Sequence, residues 1–95
     1  MKLKELCKKS HEIAKEKGWW DDTTIQEKIL MTIVELSEAV QKDRAGDEAG
    51  FYEEIADVFI RLTDLTEYLG IDIEAEIERK MEMNKKREYK HGKKY

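Results

Sequence analysis

Two short stretches of the sequence place carboxylates at a spacing suited to metal chemistry. The segment VELSEAV contains Glu35 and Glu38, and the segment EEIADVF contains Glu54 and Asp57. Residues three positions apart project side by side from a helix, about 5–6 Å apart at Cβ. Two such pairs on facing helices would bring four carboxylates together, which requires a shared cation or retained protons. Mg²⁺ is the expected cation, with Mn²⁺ as a substitute, because it takes oxygen ligands and is completed by substrate phosphates.

The same acids have a simpler explanation. Charged residues make up 42% of the chain, so acid pairs at this spacing arise by chance, and most acids lie on solvated helix faces. Under this alternative the chain is a non-catalytic helical oligomerisation or adaptor module, whose fold Mg²⁺ does not stabilise. Spacing alone does not decide between the two. Zinc and ferritin-like di-iron sites are excluded, since no histidine or cysteine has the spacing that either requires.

The hydrophobic pattern predicts four helices. They are expected at about 3–17, 25–44, 47–70 and 73–90. Thr23 or Thr24 can cap the second helix and Asp72 can cap the fourth, while Gly18 follows the first as a typical helix-ending residue. The absence of proline and the short connections favour an all-α, four-helix domain with antiparallel packing.

Chain length and hydropathy limit the class of protein. A chain of 95 residues fits one domain, residues 1–95, and buries only about 60–68% of its unfolded surface, so a lone monomer would be marginal. The apolar arc of the second helix is too broad for one partner helix, which predicts a bundle completed by self-association into a homodimer or tetramer. No segment reads as a membrane span or a secretory signal, so we expect no membrane association and a cytoplasmic location.

Charge is unevenly distributed along the chain. Residues 1–84 carry 12 Lys/Arg against 21 Asp/Glu, whereas the basic C-terminal tail, residues 85–95, carries six against one. The tail alone would suit a nucleic-acid-binding arm. The acidic body would repel a phosphate backbone, however, and no stacking platform accompanies the lysines. Nucleic acid is therefore not an expected partner.

The order and context of the acid pairs resemble a known family. Glu35-x-x-Glu38, a short connection and then Glu54-x-x-Asp57 look like the signature of the MazG-like, all-α nucleoside triphosphate pyrophosphohydrolases. The segments EEIADVFIRLTDL and IERKMEMNKKREYKHGKKY are similar to the family's third helix and to its fourth helix and tail. The resemblance implies Mg²⁺-dependent hydrolysis of a (deoxy)nucleoside triphosphate to the monophosphate and pyrophosphate, in control of the nucleotide pool.

The resemblance also implies roles for individual residues. The four acids would hold the metal, and Glu38 and Glu35 are the candidates for a catalytic role, with Glu38 as general base. On the fourth helix, Lys80 would neutralise phosphate and Asn84 would bond a ribose or phosphate oxygen. In the tail, which often folds over the nucleotide in this family, Arg87, Tyr89 and Lys93 are further substrate contacts. The alternative for Lys80 and Asn84 is an ordinary surface lysine and a helix-end asparagine.

The phrase KGWW is similar to the dCTP-pyrophosphatase branch of the family. In that branch an aromatic residue here lines the base pocket, which implies base stacking by Trp19 or Trp20, and we expect base contact by His11. The alternative for each is packing, since indoles after a helix-ending glycine can fasten the first helix to the bundle. The connection DRAGDEAG departs from the branch, because it lacks the further pocket aromatic of longer relatives.

Overall fold

The computed structural model describes residues 1–87, which form four helices joined by short turns. The helices are α1 (Leu3–Glu16), α2 (Ile25–Arg44), α3 (Glu48–Leu69) and α4 (Ile73–Lys85). No strand occurs among the described residues, so the all-α prediction is confirmed. Within this part of the chain, no helix combines the length and the apolar character that crossing a bilayer requires.

Side-chain caps and a glycine set several helix ends. Thr24, Asp47 and Asp72 each accept a hydrogen bond from the backbone N–H three residues later, at 2.9–3.1 Å. The predicted caps of the second and fourth helices are thereby confirmed, with Thr24 rather than Thr23 in the capping position. Gly70 ends α3 with a φ of 70°, a left-handed conformation that glycine adopts without steric cost.

The fourth helix is shorter than predicted. It ends at Lys85 instead of near Lys90. The backbone N–H groups of Lys86 and Arg87 turn back to carbonyls three residues earlier, both at 3.2 Å, and this tighter pattern closes the last turn. No residue of α4 is buried, so no packing energy favours a longer helix.

The second and third helices form an antiparallel hairpin through the connection at residues 45–47. Contacts across the hairpin show its direction. Glu35 on α2 bonds to Arg61 on α3, whereas the later residue Glu38 approaches the earlier residue Glu54. The hairpin therefore brings the first acid pair to the level of the second.

The first helix packs against α3 through small and polar side chains. Three pairs make contact: Cys7 with Thr66, Ser10 with Thr63, and His11 with Asp64. Ala14, which is 1% exposed, lets the two helices approach closely. Among the described residues no large side chain is fully buried, so α3 is held to α1 by satisfied hydrogen bonds as much as by apolar burial.

Many large apolar side chains remain exposed on the single chain. On α2, Leu30, Ile33 and Val40 are each more than half exposed, as are Phe59 on α3 and Met81 on α4. This agrees with the broad apolar arc of the second helix. An apolar surface of this kind is typical of interaction sites, and self-association stays a prediction.

Candidate active site

Three of the four predicted carboxylates converge on the α2–α3 hairpin. Glu35, Glu38 and Glu54 each offer one carboxylate oxygen, and these oxygens lie within 4.8 Å of one another. Glu35 and Glu54 are half-buried, whereas Glu38 is exposed. Asp57 is exposed one turn beyond Glu54, and its carboxylate is not part of this close group. We call the three glutamates the carboxylate cluster.

Glu54 is the most constrained member of the cluster. Its Oε2 atom is buried and accepts no hydrogen bond from any residue that the structure describes. Its pKa is raised to about 7, first because the Glu35 carboxylate accepts a hydrogen bond from the protonated form, then because burial disfavours the charge and Glu38 repels it. A buried oxygen without a donor is costly, so this position favours a proton or a cation.

Arg61 supplies a positive charge at the edge of the cluster. Its Nε donates to Glu35 Oε1 at 2.9 Å. The pKa of Asp57 is raised by desolvation and by the charge of Glu35, and Arg61 partly opposes the rise. Arg61 was not among the site residues predicted from the sequence. Its position four residues after Asp57, on the same helical face, was the available signal.

One cavity adjoins the cluster, and a second lies next to the first, with two lining residues in common. The first has a volume of about 530 Å³ and is lined by Glu35, Asp57 and Asp64, among others. The second has a volume of about 680 Å³. Trp19 and Arg61 line both cavities, and Trp19 is 52% exposed. An open indole face and a guanidinium therefore border the space beside the carboxylates.

Asp64 forms hydrogen bonds with aromatic residues of α1 and of the turn that follows α1. Its Oδ1 accepts hydrogen bonds from His11 Nδ1 and Trp20 Nε1, each at 2.8 Å. Trp20 stacks on Tyr68, with ring centroids 3.9 Å apart and planes 10° apart. The Lys28 ammonium lies 4.8 Å from the centre of the Trp20 ring. Both His11 and Trp20, predicted base contacts, are thus engaged in packing within this network.

Lys28 is the cation of the same network. It is buried, and its Nζ donates to the backbone carbonyl of Trp19. Burial lowers its pKa, the charge of Asp64 partly offsets this, and Arg61 lowers the pKa further. Lys28 and Asp64 were not among the site residues predicted from the sequence. Asp64 follows Asp57 by seven residues, which places both on one helical face and could have revealed it.

The candidates on the fourth helix lie apart from the cluster. Lys80 and Asn84 are exposed on α4, and neither lines the two cavities. Arg87 follows the end of α4 and is also exposed. Tyr89 and Lys93 lie outside the described residues. Within residues 1–87, the carboxylate cluster lies on α2 and α3, and α1 and the turn that carries Trp19 line the neighbouring cavities.

Comparison with known protein families matches residues 24–95 to the MazG-like family. The matched region contains both acid pairs and Arg61, and it begins after the tryptophan pair. No curated protein and no solved structure gives a significant match.

The unfolding free energy of the metal-free protein should fall as pH rises from about 4.5 to about 7. Because the fold raises the pKa of Glu54 from its ordinary 4.5 to about 7, the folded state binds a proton that the unfolded state has released. This stabilisation is complete below the unfolded pKa and is lost as pH rises through the folded one. Urea unfolding in EDTA at a series of pH values measures it. Glu54→Gln should make the unfolding free energy nearly independent of pH in this range. Glu12→Gln, on α1, is the control and should keep the pH dependence of the wild type. Equal pH dependence in the wild type and both variants would contradict the assignment of the raised pKa to Glu54.

Proposed function

The chain belongs to the MazG-like family, and we propose that it hydrolyses a (deoxy)nucleoside triphosphate to the monophosphate and pyrophosphate in a Mg²⁺-dependent reaction. The observation that carries the proposal is the carboxylate cluster, in which three acids approach closely and one buried oxygen has no donor. A solvated helix face accounts for exposed acids such as Glu38, but it gives no reason for a buried carboxylate oxygen without a donor.

A divalent cation fits the residues present. The donors are all carboxylate oxygens, the set that Mg²⁺ and Mn²⁺ prefer, and the Glu54 Oε2 atom needs a positive partner. Glu35, Glu38, Glu54 and Asp57 would hold it. When bound, such an ion neutralises phosphate oxygens and lowers the pKa of water.

The protein's own side chains would divide the remaining work. Glu38 is exposed, whereas Glu35 is paired with Arg61 and Glu54 is half-buried, so Glu38 is best placed to take the proton of an attacking water. Glu35 would hold the side chain of Arg61 in position at the site. Hydrolysis of a phosphoanhydride depends on charge neutralisation and alignment more than on covalent chemistry, which suits a site of fixed acids.

Trp19 is the better candidate for stacking on the nucleobase. Trp20 uses its indole N–H on Asp64 and its face on Tyr68, while the ring of Trp19 stays exposed beside both cavities. An aromatic face accepts any base, so Trp19 would supply affinity and leave base selection to other groups.

Self-association would give the fourth helix a role at the site. The exposed apolar residues of α2 and α4 need a partner surface, and a second copy of the chain offers the same surface in return. Lys80 and Asn84 lie on α4, away from the cluster of their own chain. We propose that they serve a site completed by a neighbouring chain.

Replacing either of two acids by its amide should abolish activity. Glu38→Gln and Asp57→Asn should each lower the rate of pyrophosphate release by at least about a hundredfold, because the first removes the proposed proton acceptor, which contributes roughly that much, and the second removes a proposed ligand of the cation. Circular dichroism should show unchanged helix content, since both substitutions relieve repulsion. Asp43→Asn, at an exposed position of α2, is the control and should keep full activity. Normal turnover by both amides would show that the site is wrongly assigned.

A wild-type protein that neither hydrolyses nucleotides nor gains stability from Mg²⁺ would favour the helical oligomerisation module instead.

Removing the Trp19 ring should weaken nucleotide binding. Trp19→Ala is expected to raise the KM for the preferred triphosphate by roughly tenfold, because stacking on one base contributes about 1–3 kcal/mol. A screen of pyrophosphate release across common and damaged triphosphates identifies that substrate first. Tyr52→Ala, which removes an exposed ring elsewhere on α3, should leave KM unchanged. An unchanged KM in Trp19→Ala would rule out stacking by this residue.

A charge on the exposed face of α2 should dissociate the oligomer. Light scattering on a sizing column is expected to give the mass of a dimer or tetramer for the wild type and a smaller mass for Ile33→Lys, because burying an unpaired ammonium at an interface is costly. Gln41→Lys adds the same charge at an exposed polar position of α2 and should leave the mass unchanged. A monomeric wild type would contradict the proposal.

A further inference from the structure

Arg61 is bonded to the carboxylate cluster through only one of its nitrogens. Nε donates to Glu35 Oε1 at 2.9 Å, with the side chains of Arg61 and Glu35 28% and 13% exposed. An arginine that serves only to neutralise a carboxylate usually binds it through two parallel hydrogen bonds. Here the two terminal nitrogens, Nη1 and Nη2, make no hydrogen bond to any residue in the described part of the chain.

The free end of Arg61 borders open space. The residue lines both cavities, together with Trp19. Its anchoring bond to Glu35 fixes the stem and the Nε of the guanidinium, so the terminal N–H groups are held at the site without being used by it. This is the arrangement of a preorganised donor that lacks its acceptor.

Two other cations line these cavities: Lys9 lines the one that Glu35 borders, and Lys28 lines the second. Lys28 is buried and gives its Nζ to the carbonyl of Trp19. Lys42 and Arg79 pair with acids outside the cluster. Among these cations Arg61 is the one bonded to a member of the carboxylate cluster, so a polyphosphate that entered beside the acids would meet its unused donors.

We propose that Arg61 is a phosphate-binding residue, which Glu35 holds through Nε while its terminal N–H groups bind an oxygen of a metal-complexed triphosphate or of the pyrophosphate product. The proposal rests on the proposed function and adds a substrate contact to it. A guanidinium is suited to this task because its planar set of donors matches phosphate oxygens and its charge persists at every physiological pH.

Arg61 would also distinguish the polyphosphates from the monophosphate product. A triphosphate or pyrophosphate carries more charge and more oxygens than a monophosphate, so a fixed guanidinium favours the polyphosphate. Glu35 then has two tasks: one carboxylate oxygen holds the arginine, and the group also belongs to the acids that would hold the cation. Substitution of Arg61 should therefore affect phosphate binding and metal binding in opposite directions.

Calorimetry on the full-length protein separates these effects. We expect Arg61→Gln to weaken binding of Mg²⁺-pyrophosphate by roughly tenfold to a hundredfold, the usual result of losing a hydrogen bond to a charged group. Binding of Mn²⁺ alone should be as tight as in the wild type or tighter, because a neighbouring positive charge has been removed. Arg61→Lys should recover part of the pyrophosphate affinity, since it keeps the charge and loses the fork.

Arg79→Gln is the matched control. It removes the same charge from an exposed ion pair on α4 and should change neither binding constant. Pyrophosphate binding by Arg61→Gln that equals the wild type would overturn the proposal. A parallel loss of Mn²⁺ and pyrophosphate binding in both Arg61 variants would also overturn it, because it would show that Arg61 only holds Glu35 in place.

The outcomes also separate this proposal from the proposed function. A wild type that binds Mg²⁺-pyrophosphate through Arg61 but releases pyrophosphate from no nucleotide would refute hydrolysis and leave the phosphate contact standing. A wild type that hydrolyses nucleotides, with an Arg61→Gln variant of unchanged KM and unchanged pyrophosphate affinity, would refute the role of Arg61 and leave hydrolysis standing.

Discussion

Repulsion among carboxylates held on one helical hairpin is the constraint around which the rest of this structure is arranged. Glu35, Glu38 and Glu54 bring oxygens within 4.8 Å of one another, although like charges at this distance repel. Two features of the structure reduce this repulsion. Arg61 pairs with Glu35, and the pKa of Glu54 is raised to about 7. The Glu54 Oε2 atom has no hydrogen-bond partner among the described residues, so its position favours a proton or a divalent cation.

The polar interface between α1 and α3 connects this hairpin to the aromatic side of the site. Asp64 on α3 binds His11 and Trp20, and Lys28 on α2 holds the backbone carbonyl of Trp19. Through these bonds the turn after α1 is fixed to both helices of the hairpin. The ring of Trp19 is thereby kept beside the cavities that Arg61 also lines. Hydrogen bonds to charged groups are well suited to this role, since they are strong and directional.

The predictions from the sequence were most reliable for features that depend on interactions between residues close together in the chain. Hydrophobic periodicity, the capping residues Thr24 and Asp72 and the helix-ending Gly70 predicted four helices, and the structure has them. The predicted end of the fourth helix was wrong. In the structure α4 buries no residue, so extending it would gain no packing energy, and the sequence pattern does not show this. The two acid pairs were visible at once, since their three-residue spacing by itself places each pair on one face of a helix.

What the sequence determined by itself was therefore the helices, the family and the four acids. Only the tertiary structure decided which side chains meet across helices: that Asp57 lies outside the closest group, that Trp20 is packed while Trp19 is open, and that Arg61 stands beside Glu35. Spacing along a chain defines an angle around one helix axis. Contact between helices depends in addition on their relative rotation and register, which are set by the packing of every residue at the interface and cannot be read from any one of them.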